Sequence, residues 1–206
     1  LDLDNLSVGG DALDANGNTG VVGSAIVNLD TDATVNGGQT TDDADADAEV
    51  GTVIGTQFGD GNDTTDGTGL SVGANSNVAG TASVTSDADG SATGGGAEVL
   101  NLITTEATGL ELNEAGNVGA DSTISATATV DLDADASNVG ATATDNAEAA
   151  AGADDVAGLK LLSDDANLSV GATGSLTAAA TVNADATASS TEGAAEAQAG
   201  SFDDTS

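Results

Sequence analysis

The sequence predicts an all-β protein built from repeated antiparallel sheets, arranged as an elongated β-sandwich or a β-solenoid-like stack. Three observations carry that expectation. Small apolar residues alternate with hydroxyl and carboxylate residues over long stretches, a short signature recurs along the chain, and Gly- and Asn-rich turns punctuate the alternation. The clearest stretch is 123–136. Ile124, Ala126, Ala128, Val130, Leu132, Ala134 and Ala136 fall on one parity, and Thr123, Ser125, Thr127, Thr129, Asp131, Asp133 and Asp135 on the other. Side chains on a β-strand point alternately to opposite faces, so this is a strand with one small apolar face and one wet acidic face.

The same pattern recurs in order along the chain. Ala25, Val27, Leu29, Thr31, Ala33 and Val35 share a parity, with Asn28, Asp30 and Asp32 opposite. The turn Asn36-Gly37-Gly38 follows, and Ala44, Ala46, Ala48 and Val50 then alternate with Asp43, Asp45, Asp47 and Glu49. Asn-Gly and Gly-Gly supply the positive φ that a hairpin needs, so the second strand is expected to pair with the first; Gly94-Gly95-Gly96 reads the same way. A more apolar strand is then expected at Val53-Ile54, at Val99-Leu100-Asn101-Leu102-Ile103 and at Leu159-Lys160-Leu161-Leu162. Unit-four strands are read at 176–186 and 195–199. Helix is a weak competitor only at 147–157, where Ala favours it and Gly interrupts it.

The recurring signature is Asn5-Leu6-Ser7-Val8-Gly9, matched by Gly69-Leu70-Ser71-Val72-Gly73 and Asn167-Leu168-Ser169-Val170-Gly171, with a looser copy at Gly109-Leu110-Glu111-Leu112-Asn113. It divides residues 1–206, read as a single elongated domain, into four degenerate units near 5–68, 69–108, 109–166 and 167–206. Repetition of one signature means stacked supersecondary units that share a core.

Composition narrows the chemistry. One Lys and no Arg or His stand against 35 Asp plus Glu, a formal net charge of −34. Such a surface repels nucleic acid and anionic membranes and attracts cations, which must supply the neutralisation that basic residues do not. The absence of Cys and His removes disulfides, thiolate sites and the usual zinc ligands. Only Phe58 and Phe202 are aromatic. A core of Ala gains about 2 kcal/mol less per position than one of Leu, so regular hydrogen bonding, close sheet packing or contacts between copies must make up the difference. High charge with few aromatics is also the composition of disordered chains, but regular alternation and the absence of Pro argue for order. With Leu1 first and no long apolar run, the expectation is a mature exported chain, secreted or at the cell surface.

Candidate sites are sparse. Gly59-Asp60-Gly61-Asn62-Asp63-Thr64 resembles one turn of the calcium-binding nonapeptide repeat of RTX proteins, in which stacked Gly–Asp turns share calcium; one copy is present, and a plain Gly/Asp turn is the competing reading. Asp14-Ala15-Asn16-Gly17-Asn18 has the spacing that opens an EF-hand loop, but Ala25 stands where the bidentate Glu belongs, which leaves a partial oxygen-ligand loop. Asp60, Asn62, Asp63, Asp14, Asn16 and Asn18 are therefore the candidate metal ligands. The Asp rows 30/32, 43/45/47 and 131/133/135 read as a solvated acidic face that could also cradle cations. Asn5, Asn62 and Asn167 head Asn-x-Ser/Thr glycosylation acceptors. Leu1, Leu3, Leu6 and Val8 make an N-terminal arm suited to contacting another subunit.

No catalytic constellation is visible, and no enzyme activity is expected. The sequence points to an extracellular structural protein, a self-assembling subunit of a filament, pilus or matrix fibre. Its partners would be further copies of itself and cations, with no required cofactor and Ca²⁺ as the candidate ion. The alternative is a calcium-dependent adhesin or stalk segment of a larger surface protein.

Overall fold

A computed structural model describes residues 2–10, 13–15, 20–36, 43–59, 68–139, 146–162 and 167–200; side chains are described from residue 20 on, except at 68. Thirteen strands account for most of these residues: β1 (Asp2–Gly10), β2 (Leu13–Ala15), β3 (Gly20–Asn36), β4 (Ala44–Phe58), β5 (Thr68–Val72), β6 (Asn77–Thr93), β7 (Ala97–Leu112), β8 (Ala115–Val118), β9 (Thr123–Val139), β10 (Ala147–Leu161), β11 (Leu168–Val170), β12 (Ser175–Ser190) and β13 (Ala195–Gly200). They form three sheets. A front sheet has the order β1-β4-β7-β10-β13, a back sheet β12-β9-β6-β3, and a narrow corner sheet β11-β8-β5-β2. The chain visits corner, back and front in turn and then climbs one rung, so the architecture is a three-sided β-solenoid.

Every ladder in it is parallel. This overturns the expectation of antiparallel sheets. The alternation is as expected, and Ala25, Val27, Ala82, Val84 and every even residue from Ile124 to Ala136 are buried. The error lies in what the Gly-rich turns do. Gly94, at φ 87°, helps turn the chain between β6 and β7, but the second strand joins the facing sheet instead of pairing beside the first. An apolar face packed across a sheet-to-sheet gap of about 10 Å and one packed within a hairpin produce the same period of two. Each strand finds its neighbour one full turn later, as Asn77 does opposite Gly20 and Thr123.

Two further readings change. The apolar segments are not separate strands: Val53-Ile54 and Leu159-Lys160-Leu161 belong to the second halves of β4 and β10, with Leu162 just past the end, and Val99 to Ile103 belongs to the first half of β7. The stretch 147–157 is strand, with no helical turn. The stacking also regroups the repeats: Leu70 and Leu168 lie in the corner sheet, whereas the copies beginning at Asn5 and Gly109 lie in the front sheet.

The core has two compartments. Between front and back sheets lies a thin Ala/Val layer that includes Ala46, Ala48, Val50, Val84, Val130 and Ala134. Beside the corner sheet lies a bulkier cluster of Phe58, Leu70, Leu110, Leu112, Val118 and Ile124. At the waist between them the sheets touch through backbone. A Cβ built on Gly109 would stand 2.5 Å from the Thr127 nitrogen, and one on Gly158 2.5 Å from the Ala179 nitrogen. Glycine is required there because any side chain would force the two sheets apart.

Candidate functional site: stacked carboxylate columns and an open last rung

In-register parallel stacking turns a pattern along the chain into columns across it. On the outer face of the back sheet, Asp30, Asp87, Asp133 and Asp185 occupy one column, and Asp32, Asp89, Asp135 and Thr187 the column two residues on. On the outer face of the front sheet, Asp45, Glu98, Glu148 and Glu196 form a third. Successive carboxylate-bearing residues are about 4.8 Å apart across a ladder. Partial burial and then repulsion from Asp135, Asp87 and Asp185 hold Asp133 above the usual carboxylate range. The same order of causes raises Asp89 beside Asp87 and Asp135, Glu98 beside Asp45 and Glu148, and Asp47 beside Asp45. An amide relieves the crowding at one point, where Asn183 Nδ2 donates to Asp131 Oδ1 at 2.8 Å.

The Asp rows read from the sequence are thereby divided. Asp30/Asp32 and Asp131/Asp133/Asp135 come together on the back sheet, while Asp43/Asp45/Asp47 lie on or beside the front sheet. Among the described residues no group of three or more Asp or Glu is gathered closely enough to hold a metal ion. Of the ligands expected from the loops, Asp60, Asn62, Asp63, Asn16 and Asn18 lie outside the described residues; Asp14 sits in β2 opposite Ser71. Leu3, Leu6 and Val8 belong to β1, with Leu3 opposite Val50 and Leu6 opposite Val53, while Leu1 lies outside the described residues. Asn167 is exposed just before β11, Asn5 is opposite Thr52, and Asn62 is outside the described residues.

Glu111 was not singled out as a site by sequence reasoning. The side chain of Glu111 is buried, with Oε1 accepting from Gln57 Nε2 at 2.7 Å and Asn113 Nδ2 at 3.1 Å. Burial dominates and raises its pKa, against the opposing effect of the Gln57 hydrogen bond. Lys160, the chain's only basic side chain, pairs with Glu106 and, at 2.7 Å, with Asp155. Burial alone would lower its pKa, but the bonds to Asp155 and Glu106 outweigh that and raise it.

The second missed feature is a repeated corner. Val72-Gly73-Ala74-Asn75-Ser76, Val118-Gly119-Ala120-Asp121-Ser122 and Val170-Gly171-Ala172-Thr173-Gly174 turn the chain from corner to back sheet. Asn75, Asp121 and Thr173 all have positive φ, at 58°, 57° and 63°. The corners stack through Asn75 N donating to Ala120 O and Asp121 N to Ala172 O. Asn and Asp tolerate this left-handed conformation, whereas a β-branched Thr is strained in it. The signal Val-Gly-Ala-x-Ser/Gly was present in the sequence, and it marks the rungs more faithfully than the looser copy at 109.

The last rung differs from those beneath it. Leu176, Ala178, Ala180 and Val182 of β12 share columns with the buried Ile124, Ala126, Ala128 and Val130 of β9, yet all four are exposed. Leu161 is likewise exposed, although Leu112 in its column is buried. The molecule is thus a parallel β-solenoid with acidic flanks and an uncovered apolar end. Comparison with known protein families, curated proteins and solved structures returns no match.

Proposed function

We propose that this chain is the structural subunit of an extracellular assembly, a filament or matrix fibre that grows by stacking solenoid rungs. The carrying observation is the uncovered face of the last rung, where Leu176 and Val182 are 47% and 48% exposed in columns that bury Ile124 and Val130 completely. An apolar sheet face with a free hydrogen-bonding edge is a template for another chain. The acidic columns support the second part of the reading: their repulsion keeps lateral faces apart, and cations are needed for long stacks. The purified chain should form polymers in calcium or high salt, visible by electron microscopy. A single 19.3 kDa species by light scattering across those conditions would refute the proposal.

A further inference from the structure

We propose that two copies join head to tail by sharing one rung of the front sheet, β13 of one copy supplying its first part and β1 of the next copy the remainder. This deepens the self-assembly reading and rests on it.

The argument is one of register. Among the described residues β13 pairs only with Ala147–Gly152 of β10, and none lies beside β10 from Ala153 to Leu161. At the opposite end, β1 pairs with β4 from Glu49 to Phe58, and among the described residues none lies beside Ala44 to Ala48 on that side. The two strand ends can be traced through the ladders between them. Gly200 is opposite Gly152, Gly152 opposite Leu102, Leu102 opposite Glu49, and Glu49 opposite Asp2. The described part of β13 therefore ends in the column where that of β1 begins. Moved up onto the last rung of a second molecule, the nine residues of β1 would span the columns of Gly152 to Leu161 and the six of β13 those of Ala147 to Gly152. The two together span β10 and meet in the one column that Gly200 and Asp2 share, where one of the two must leave the ladder.

The pattern of exposure agrees independently. Gly158, in the second half of β10, approaches Ala179 of β12, so the second half of the front sheet faces the first half of the back sheet. In β12 the residues from Ser175 to Asn183 are all exposed, whereas Ala184, Ala186 and Ala188, in its second half, are partly buried and packed against the core. Within β12 the fully exposed apolar side chains lie in the half that has no described front strand opposite, which is where β1 of the next copy would lie, and Ala195, Ala197 and Ala199 of β13 are exposed beside it.

The same docking extends the other two sheets without a change of column. Gly20 and Ser175 both lie in the column of Asn77 and Thr123, so β3, of 17 residues, would stack on β12, of 16, residue for residue. β2 would stack on β11. The contact would involve on the order of thirty residues a side, the size of a specific interface. It is heterologous and does not close on itself, so it generates a filament. It also places Asp30 of the next copy after Asp185, and Asp45 after Glu196, which makes cation or proton uptake part of the joining step.

Cysteine cross-linking tests the register, because the chain has no native Cys. Ile26 and Thr181 share a column, and both are exposed on the outer face of the back sheet. Within one copy they are three rungs apart, about 14 Å, beyond the reach of a disulfide; across the proposed joint they are adjacent. Oxidising polymers of the Ile26→Cys/Thr181→Cys variant should give a ladder of monomer multiples on a non-reducing gel, collapsing to monomer on reduction. The off-register pair Ile26→Cys/Thr177→Cys, displaced by about 13 Å along the strand, should stay monomeric on the same gel. Normal filaments without the ladder, or equal ladders from both pairs, would overturn the shared rung while leaving self-assembly standing. Absence of any polymer would remove both.

Discussion

β9 and β12 are nearly the same strand in two settings. Their columns match residue for residue from Thr123 opposite Ser175 to Asn138 opposite Ser190, and both alternate apolar with polar side chains. In β9 the apolar parity is buried throughout; in β12 its first half is open. The difference arises from what lies opposite and above, since β9 has a ladder partner on both edges and full-length front strands across the gap, while β12 is an edge strand facing a front rung that the described residues fill only in part. Amphipathic alternation thus determines which side chains are available for burial, and position in the stack determines whether they are buried.

The strongest way to break the inner setting is at the waist. Gly109→Ala puts a Cβ 2.5 Å from backbone atoms of Thr127, which cannot swing aside as a side-chain tip can. A loss of about 3 kcal/mol is expected, as for severe overpacking, and chemical denaturation would measure it. An unchanged midpoint would mean the sheets do not meet there.

A gentler pair of changes tests the comparison itself. Val130 and Val182 share a column, one buried and one half exposed. Val130→Ala should cost about 2 kcal/mol through lost burial and the cavity left behind. Val182→Ala should cost less than about 1 kcal/mol in the monomer, since much of that side chain already meets water. In the polymer the two costs should converge, because the next copy covers the end; costs that stay apart in both states would show that the end remains open.

The smallest effect per residue comes from the acid columns. Asp89, Asp133 and Glu98 have folded pKa values above their ordinary ones. A raised carboxyl binds its proton more readily in the folded state, so its contribution to stability is fully present below the unfolded pKa and is lost as pH rises through the folded pKa. Mild acidification toward the ordinary carboxyl values of 3.8 for Asp and 4.5 for Glu should therefore raise the melting temperature, opposite to ordinary acid denaturation. Calcium or high salt at neutral pH should act in the same direction, and chelator at low ionic strength in the other. A melting temperature that falls steadily from pH 7 to pH 4.5 would show that the columns do not govern the pH response.

Much of the local structure was legible in the residues. The parity of Ile124 to Ala136, of Ala25 to Val35 and of Ala44 to Val50 names the buried faces, because two-residue periodicity is a property of the strand alone. The Asp rows were legible as outward-facing, but their columns were not. Asp30 meets Asp87, Asp133 and Asp185 only because strands about fifty residues apart pair in parallel and in register. Nothing local to Asp30 carries that information.

What the sequence determined by itself is the strand, its two faces, the turn positions and the acidic charge, since each follows from side-chain chemistry within a few residues. The tertiary structure decided strand direction, the partner of each strand and the completeness of each rung. A Gly-rich turn such as Gly94-Gly95-Gly96 reverses the chain equally well into a hairpin or across a core. The choice rests on long-range packing: the waist glycines let the sheets touch, the stacked corners at Asn75, Asp121 and Thr173 keep successive rungs aligned, and the column shared by Asp2 and Gly200 appears only once the intervening ladders are in place.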